Sequence, residues 1–360
     1  MSGKSAYVVI RDFEEGSRFA SSRRLPALAI LLATAALIIY GLLASLAPID
    51  RTAGVNPDRT DDALYVAIAS RVSDGENYYR AAVIEQRERG YPLRPFVTVR
   101  EPTLAYLTAA AGGPGHLIYG LGVLAFFTAA ALAWRLEAIT RSRIDWWSSA
   151  LLAAIGAGAL VGHVQVVTHE VWAGMLIVLS IVFRGDKRYG ASVCFGLGAV
   201  LIRELALPYL VIMAFFAWRE GKRREMFAWV GATAIFAVAF VAHAVLVHSQ
   251  VGVADPASPG WVRFGGWPFI LDLVRESSFL GVMPVWVAAT GVPLALLGWC
   301  SRGTPFANRV MVTIGTFMCA FMIIGRPENI YWGFLFVLLL VPGVALTPVA
   351  IWQLGKRVIS

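Results

Sequence analysis

The feature that most constrains this chain is its set of long apolar runs. Leu25–Ala47, Gly115–Trp134 and Ile330–Trp352 each carry about 20 residues with almost no charge, the length an α-helix needs to cross a hydrocarbon core. Hydropathy predicts further spans near 148–168, 226–247, 279–299 and 309–325. With 58% hydrophobic and 15% charged residues, the composition excludes a soluble enzyme, a disordered tail and a disulfide-stapled secreted domain. The expected fold class is all-α: a polytopic integral membrane protein. About two dozen mostly polar residues precede the first run, and no small-residue cleavage site follows it. It therefore reads as a retained anchor after a cytoplasmic tail, 1–24, with the transmembrane domain occupying 25–360.

The stretch 170–217 holds three short apolar pieces, Glu170–Phe183, Gly190–Ile202 and Leu205–Trp218, interrupted by Arg203-Glu204. One continuous helix over 190–217 would put Arg219, Lys222, Arg223 and Arg224 outside, against the cytoplasmic bias of Lys and Arg. Two short arms meeting at Arg203-Glu204 restore the bias. About ten membrane segments with both termini inside then result, and most of the 31 basic residues but only about a third of the 23 acidic ones fall in inside loops. The net charge of +8 thus orients the chain, and nucleic acid is not needed to explain it. Arms that stop partway across a bilayer survive only within protein or beside water. Glu170 and Arg203-Glu204 are expected at the tips of two such hairpins, both opening outward. Trp146, Trp147, Trp267 and Trp332, near span ends, are expected to anchor at the interface.

The largest polar piece is the first outside loop, 48–114. Thr60 before Asp61-Asp62 predicts an N-cap. Ser73-Asp74-Gly75-Glu76 has capping-box spacing and predicts a helix running to about Arg89. Thr103–Ala111, apolar but short, predicts a helix at the membrane surface. Facing this loop from segment ends are His169, Glu170, Arg203, Glu204, Arg326 and Glu328. Ionisable groups at membrane depth are expensive and usually face a cavity, so these predict a shared site, with a structural ion-pair cluster as the competing reading. His116, His163, His243 and His248 read mostly as packing or hydrogen-bonding residues, and Cys194, Cys300 and Cys319 as small buried ones. The sequence contains no P-loop, zinc-protease, paired-cysteine or serine-hydrolase motif, and no internal repeat was found.

The loop reads Asp74-Gly-Glu76-Asn-Tyr78-Tyr79-Arg-Ala-Ala, then Arg89-Gly-Tyr-Pro-Leu, then Val99-Arg100-Glu101-Pro102-Thr103-Leu104. This resembles the first outside loop of GT-C membrane glycosyltransferases, which use polyprenyl-phosphate sugars. The resemblance extends to the topology of most of the chain, but its motif is confined to about 30 residues. Two features depart from the family pattern. Glu101 stands where a first Pro is usual, and Asp74 lies far from the first span. Asp62, with Tyr65 three residues on, also fits the acid-to-Tyr spacing, and both alignments stay open.

The resemblance implies a carboxylate as general base for the acceptor hydroxyl and arginines on the departing phosphate. Asp74 would be the base and Glu76 its helper, with Asp62 the alternate. Tyr78, Tyr79, Arg100, Glu101, His169, Glu170, Arg203, Glu204, Arg326 and Glu328 would bind substrate. Direct attack would invert the anomeric carbon. A divalent ion, Mg or Mn, is compatible with the chemistry. The expected partners are the polyprenyl-phosphate sugar, a lipid, saccharide or protein acceptor, and membrane lipids. The expected location is a bacterial inner membrane with the site facing the periplasm, in glycolipid or envelope-polysaccharide synthesis. Two other classes compete: a lipid-linked saccharide transporter, which should carry inverted repeats and midplane charges, and a noncatalytic assembly subunit.

Overall fold

Apolar runs in this chain form helices wherever proline and glycine allow. The computed structural model describes residues 17–45, 60–140, 142–185 and 188–359; most of the N-terminal tail and the start of the first outside loop lie outside them. The molecule is 78% helix, with no strand among the described residues. In order the helices are α1 (Arg24–Ser45), α2 (Asp61–Ser73), α3 (Tyr78–Glu88), α4 (Thr103–Ala110), α5 (Pro114–Glu137) and α6 (Arg143–Gly158). There follow α7 (His169–Phe183), α8 (Gly190–Ile202), α9 (Leu207–Arg219), α10 (Arg223–His248) and α11 (Gly266–Glu276). The last are α12 (Val285–Cys300), α13 (Pro305–Ile323), α14 (Val337–Leu340) and α15 (Gly343–Ile359). Four of them, α1, α5, α10 and α13, are long and apolar enough to cross a membrane. Helices α7, α8 and α12 are apolar but shorter, so the four long helices do not by themselves make about ten segments.

Three expected spans come out differently. The 330–352 run is not one helix. A 3₁₀ stretch (Pro327–Leu335) gives way to α14, and Pro342-Gly343 separates α14 from α15. The backbone freed there is satisfied by the Trp299 indole N–H, which donates to the Leu339 carbonyl at 2.8 Å. Gly343 is required at the break: a Cβ there would stand 2.3 Å from the Ala295 carbonyl oxygen. The 148–168 run ends as a helix at Gly158, and 165–167 is a 3₁₀ turn; Gly156, Gly158 and Gly162 weaken helix continuity there. In the 279–299 run, a 3₁₀ turn over Phe279–Val282 comes first and α-helix begins only after Pro284, as expected for a residue that fixes its own φ and lacks an N–H.

The chain divides into two compact units. One comprises residues to 48, 127–159 and 263–360. In it Trp267 and Trp332 are buried rather than interfacial, whereas Trp147 is exposed as an anchor should be. The other comprises 49–126 and 160–262, and its core is the short-helix group α7–α9 with α10. A polar knot ties α7, α8 and α9 together. Ser180 Oγ donates to the Ser192 carbonyl at 2.5 Å, Ser192 Oγ returns a bond to the Ser180 carbonyl at 2.6 Å, and Tyr209 OH donates to Ser180 Oγ at 2.6 Å. Gly196 lets α8 sit against Trp229 of α10; an added Cβ would lie 2.7 Å from that ring. At one end buried Arg184 binds Glu225 (2.9 Å) and Glu220 (2.6 Å).

Candidate functional site

The opposite end of the same helices carries the charges singled out in the sequence. Ile202 ends α8, Arg203 is extended, and 204–206 form a 3₁₀ turn before α9. Glu170 lies in the first turn of α7. Arg203 is 1% exposed, and its Nε donates to Glu170 Oε1 at 2.5 Å. Its Nη1 donates to Glu204 Oε1. Two carboxylates therefore clamp one guanidinium, which is what a charge needs to survive burial.

The segment between α1 and α5 closes over this tip with its described part, 60–113. Thr103 Oγ1, at the start of α4, donates to the Leu201 carbonyl at 2.5 Å. Just before it stand Arg100 and Glu101. Arg100 Nε donates to Tyr65 OH at 3.1 Å, and its carbonyl accepts from Tyr78 OH at 2.6 Å. The Tyr65 ring meets the His169 ring edge-on, with centroids 4.9 Å apart. His169 is buried and its Nδ1 has no hydrogen-bond partner. Between these groups lies a narrow cavity lined by Tyr65, Ile68, Tyr78, Leu104, Thr108 and His169, with room for about one water.

Glu101 is the unusual member. It is 6% exposed, and neither carboxyl oxygen meets a hydrogen-bond donor. A carboxylate there would be stranded; a protonated carboxyl can instead donate to its neighbour Glu204. Burial, the Glu204 charge and this hydrogen bond push Glu101 well above the usual carboxyl range, against the pull of Arg203. Burial also pushes Glu204 up, but the charges of Arg203 and Arg100 and the bond from Glu101 outweigh it and hold Glu204 below the usual carboxyl range. Tyr78 is held well above its ordinary value by burial, then by the Glu101 charge. Burial also raises Tyr79, which packs at 5.2 Å on Tyr78.

The two candidate bases fall at opposite ends of α2. Asp62 sits in its first turn after Thr60, the N-cap position. Asp62 precedes Tyr65 by one turn and so shares its face, the face turned toward Arg100 and His169. Asp74 is the C-cap of α2 and is exposed, about 13 Å along the axis from Tyr65 by helical rise. Glu76 pairs with Arg71 at 3.2 Å. The predicted capping box fails: Ser73 ends α2, its hydroxyl bonding the Ala69 carbonyl. Asn77 caps α3 instead, accepting from Tyr79 N at 3.0 Å. Asn takes this role readily because its side-chain oxygen matches the orphan N–H groups of a first turn. Arg326 and Glu328 belong to the other unit, where they pair at 2.9 Å beside the turn closed by Asn329.

Three further residues contribute here. Tyr65, which entered the sequence pattern only through its spacing from Asp62, bridges Arg100 and His169. His243, expected to pack or hydrogen-bond, does so: its Nε2 meets the Val99 carbonyl at 3.0 Å, next to Arg100. Asp255, from the loop after α10, takes a bidentate grip on Arg87 at 2.6 and 2.7 Å, fastening α3. The hydrogen bond from Arg87, then that from Gly252 N, holds Asp255 at about 2. A divalent ion does not fit: among the described residues no three His, Cys, Asp or Glu side chains are grouped to hold one, and Glu170 and Glu204 are engaged by Arg203. No family model, curated protein or solved structure matches this chain.

Proposed function

We propose that this protein is a membrane glycosyltransferase. It would transfer a sugar from a polyprenyl-phosphate donor to an acceptor hydroxyl on the side where the α8–α9 tip lies. The observation that carries this reading is the cluster of buried Glu101, Glu170 and Arg203 with half-buried Arg100 and Glu204, set at the tip of interrupted helices and closed over by the loop that bears Asp62 and Tyr65. An ion-pair cluster that only held helices together would not need a buried Glu101 whose carboxyl oxygens meet no donor or an unpartnered His169 Nδ1.

Asp62 serves as general base in this reading, in preference to Asp74, because it shares the Tyr65 face. Its carboxylate takes the acceptor's proton as the hydroxyl oxygen attacks the anomeric carbon. The bond from that carbon to phosphate breaks on the opposite side, with its electron pair passing to the phosphate oxygen, so configuration inverts. Arg100, half-buried and oriented by Tyr65, offers a guanidinium to the departing phosphate. Arg203, paired with both Glu170 and Glu204, adds no net positive charge and instead anchors the turn between α8 and α9. The cavity admits about one water as it stands, so substrate entry requires the α2–α4 loop to lift from the Thr103–Leu201 contact.

The finer topology, about ten segments with both termini cytoplasmic in a bacterial inner membrane, belongs to this proposal and is supported by the bias of Lys and Arg among the loops. The test is reconstitution of purified protein with a polyprenyl-phosphate sugar and candidate lipid, saccharide or protein acceptors. Transfer with inversion is expected, and Arg100→Gln should lower it at least a hundredfold. Translocation of a lipid-linked saccharide without bond cleavage would replace this reading with that of a transporter.

A further inference from the structure

Three segments outside the proposed chemistry meet at one end of the unit that contains both described termini. Ser17 bridges Arg302, and the Ser17 hydroxyl donates to Gln353 Oε1. Arg18 N donates to the Ser301 carbonyl at 3.0 Å, and its guanidinium reaches Asn308. Arg357 donates to the Ala20 carbonyl. Beneath these bonds Phe19 and Ala27 pack with Leu297, Ala350 and Leu354. The strap 17–23, the loop 300–309 and the end of α15 are therefore one surface.

Among its described residues the charge is one-sided. Residues 17–31, 297–309 and 350–359 contain arginine and lysine but no Asp or Glu. Two helix N-termini lie in the same place. Helix α1 begins at Arg24 behind Arg23, and α13 begins at Pro305 with Arg309 one turn in; neither has an acid in its first turn. A helix N-terminus carries about half a positive charge, so arginine there adds to a positive pole instead of compensating it. Arg18, Arg23, Arg24 and Lys356 are exposed. Apolar surface borders them directly: Trp352, under the Lys356 ammonium at 5.4 Å, together with Leu25, Leu28 and Leu32, is solvent-accessible. Charge beside an apolar skirt suits a phosphate that arrives attached to acyl chains.

We propose that this surface binds the headgroup of an anionic phospholipid, with Arg23, Arg24 and Lys356 as its principal exposed cations and Trp352 packing on the glycerol region. The site is independent of sugar transfer.

The test titrates the purified full-length protein in detergent with short-chain phosphatidylglycerol, phosphatidylcholine or inorganic phosphate, reading bound lipid by native mass spectrometry. Phosphatidylglycerol should bind tighter than phosphatidylcholine, resist displacement by inorganic phosphate, and weaken as salt rises. Each charge near an anionic surface contributes about fivefold, so R23Q/R24Q/K356Q should lose about a hundredfold. The charge-conserving R23K/R24K/K356R should retain binding. Equal affinity for the two lipids, an unchanged triple glutamine variant, or displacement by inorganic phosphate would overturn the proposal. So would phosphatidylglycerol binding that appears only in D12N/E14Q/E15Q, since the tail acids would then be the occupant. If the glutamine variant does not fold, the salt series and lipid comparison on the native protein decide the question alone.

Discussion

Arg203→Met offers the sharpest look at the energetics of the α8–α9 tip. The native guanidinium is 1% exposed and is held by Glu170 at 2.5 Å and by Glu204. Methionine fills similar volume but leaves Glu170, itself 2% exposed, as a buried charge without its partner. Removing one member of such a pair costs about 3–5 kcal/mol, most of it the penalty on the charge left behind. Glu170→Gln should be costly for the same reason, because it leaves Arg203 partly uncompensated. The double variant R203M/E170Q removes both charges, so it should be about 2–3 kcal/mol less destabilised than the sum of the singles. Chemical unfolding of the three variants in one detergent, followed by far-ultraviolet circular dichroism, measures this cycle. Additivity within about 0.5 kcal/mol would show that the two side chains do not share an ion pair, and the account of the tip would fail.

Three further outcomes follow from the same geometry. Because the folded protein raises the Glu101 carboxyl, its contribution to stability is full below the ordinary carboxyl value and declines as pH rises through the raised one; Glu101→Gln should remove that decline in pH-resolved unfolding curves. Asp255 is the reverse case. Held at about 2, it stabilises the α3 contact above about pH 4 and loses that effect as pH falls toward 2, so Asp255→Asn should flatten the acid limb of protection at residues 87–94 in hydrogen exchange. Asn77→Ala should cost about 1 kcal/mol and speed exchange in the first turn of α3, with little change elsewhere.

Much of this structure was legible in the sequence, for identifiable reasons. Arg203-Glu204 within an apolar stretch could only be a break with polar partners, and the structure places it between α8 and α9 beside Glu170. The long helices were legible because uninterrupted apolar runs permit little else. The last run was misread because hydropathy averages over Pro342-Gly343 and cannot foresee that the Trp299 indole will satisfy the opened backbone. Trp267 and Trp332 were misplaced for a related reason: an aromatic near a span end can face lipid or another helix, and only packing decides. Ser73 and Asn77 show the limit of local motifs. Both can cap, and the choice fell to whichever residue let α2 complete its last turn. The Asp255–Arg87 clamp joins positions 168 apart, and no local signal marks it.

The most direct test of the central claim is a transfer assay with Asp62→Asn and Asp74→Asn side by side, in the same vesicles and with the same radiolabelled polyprenyl-phosphate sugar. The account predicts that D62N is folded, retains donor binding and loses transfer by at least a hundredfold, while D74N stays within a few-fold of the native rate. Loss of transfer in D74N with full activity in D62N would move the base to the other end of α2. Full activity in both would contradict carboxylate catalysis from this loop.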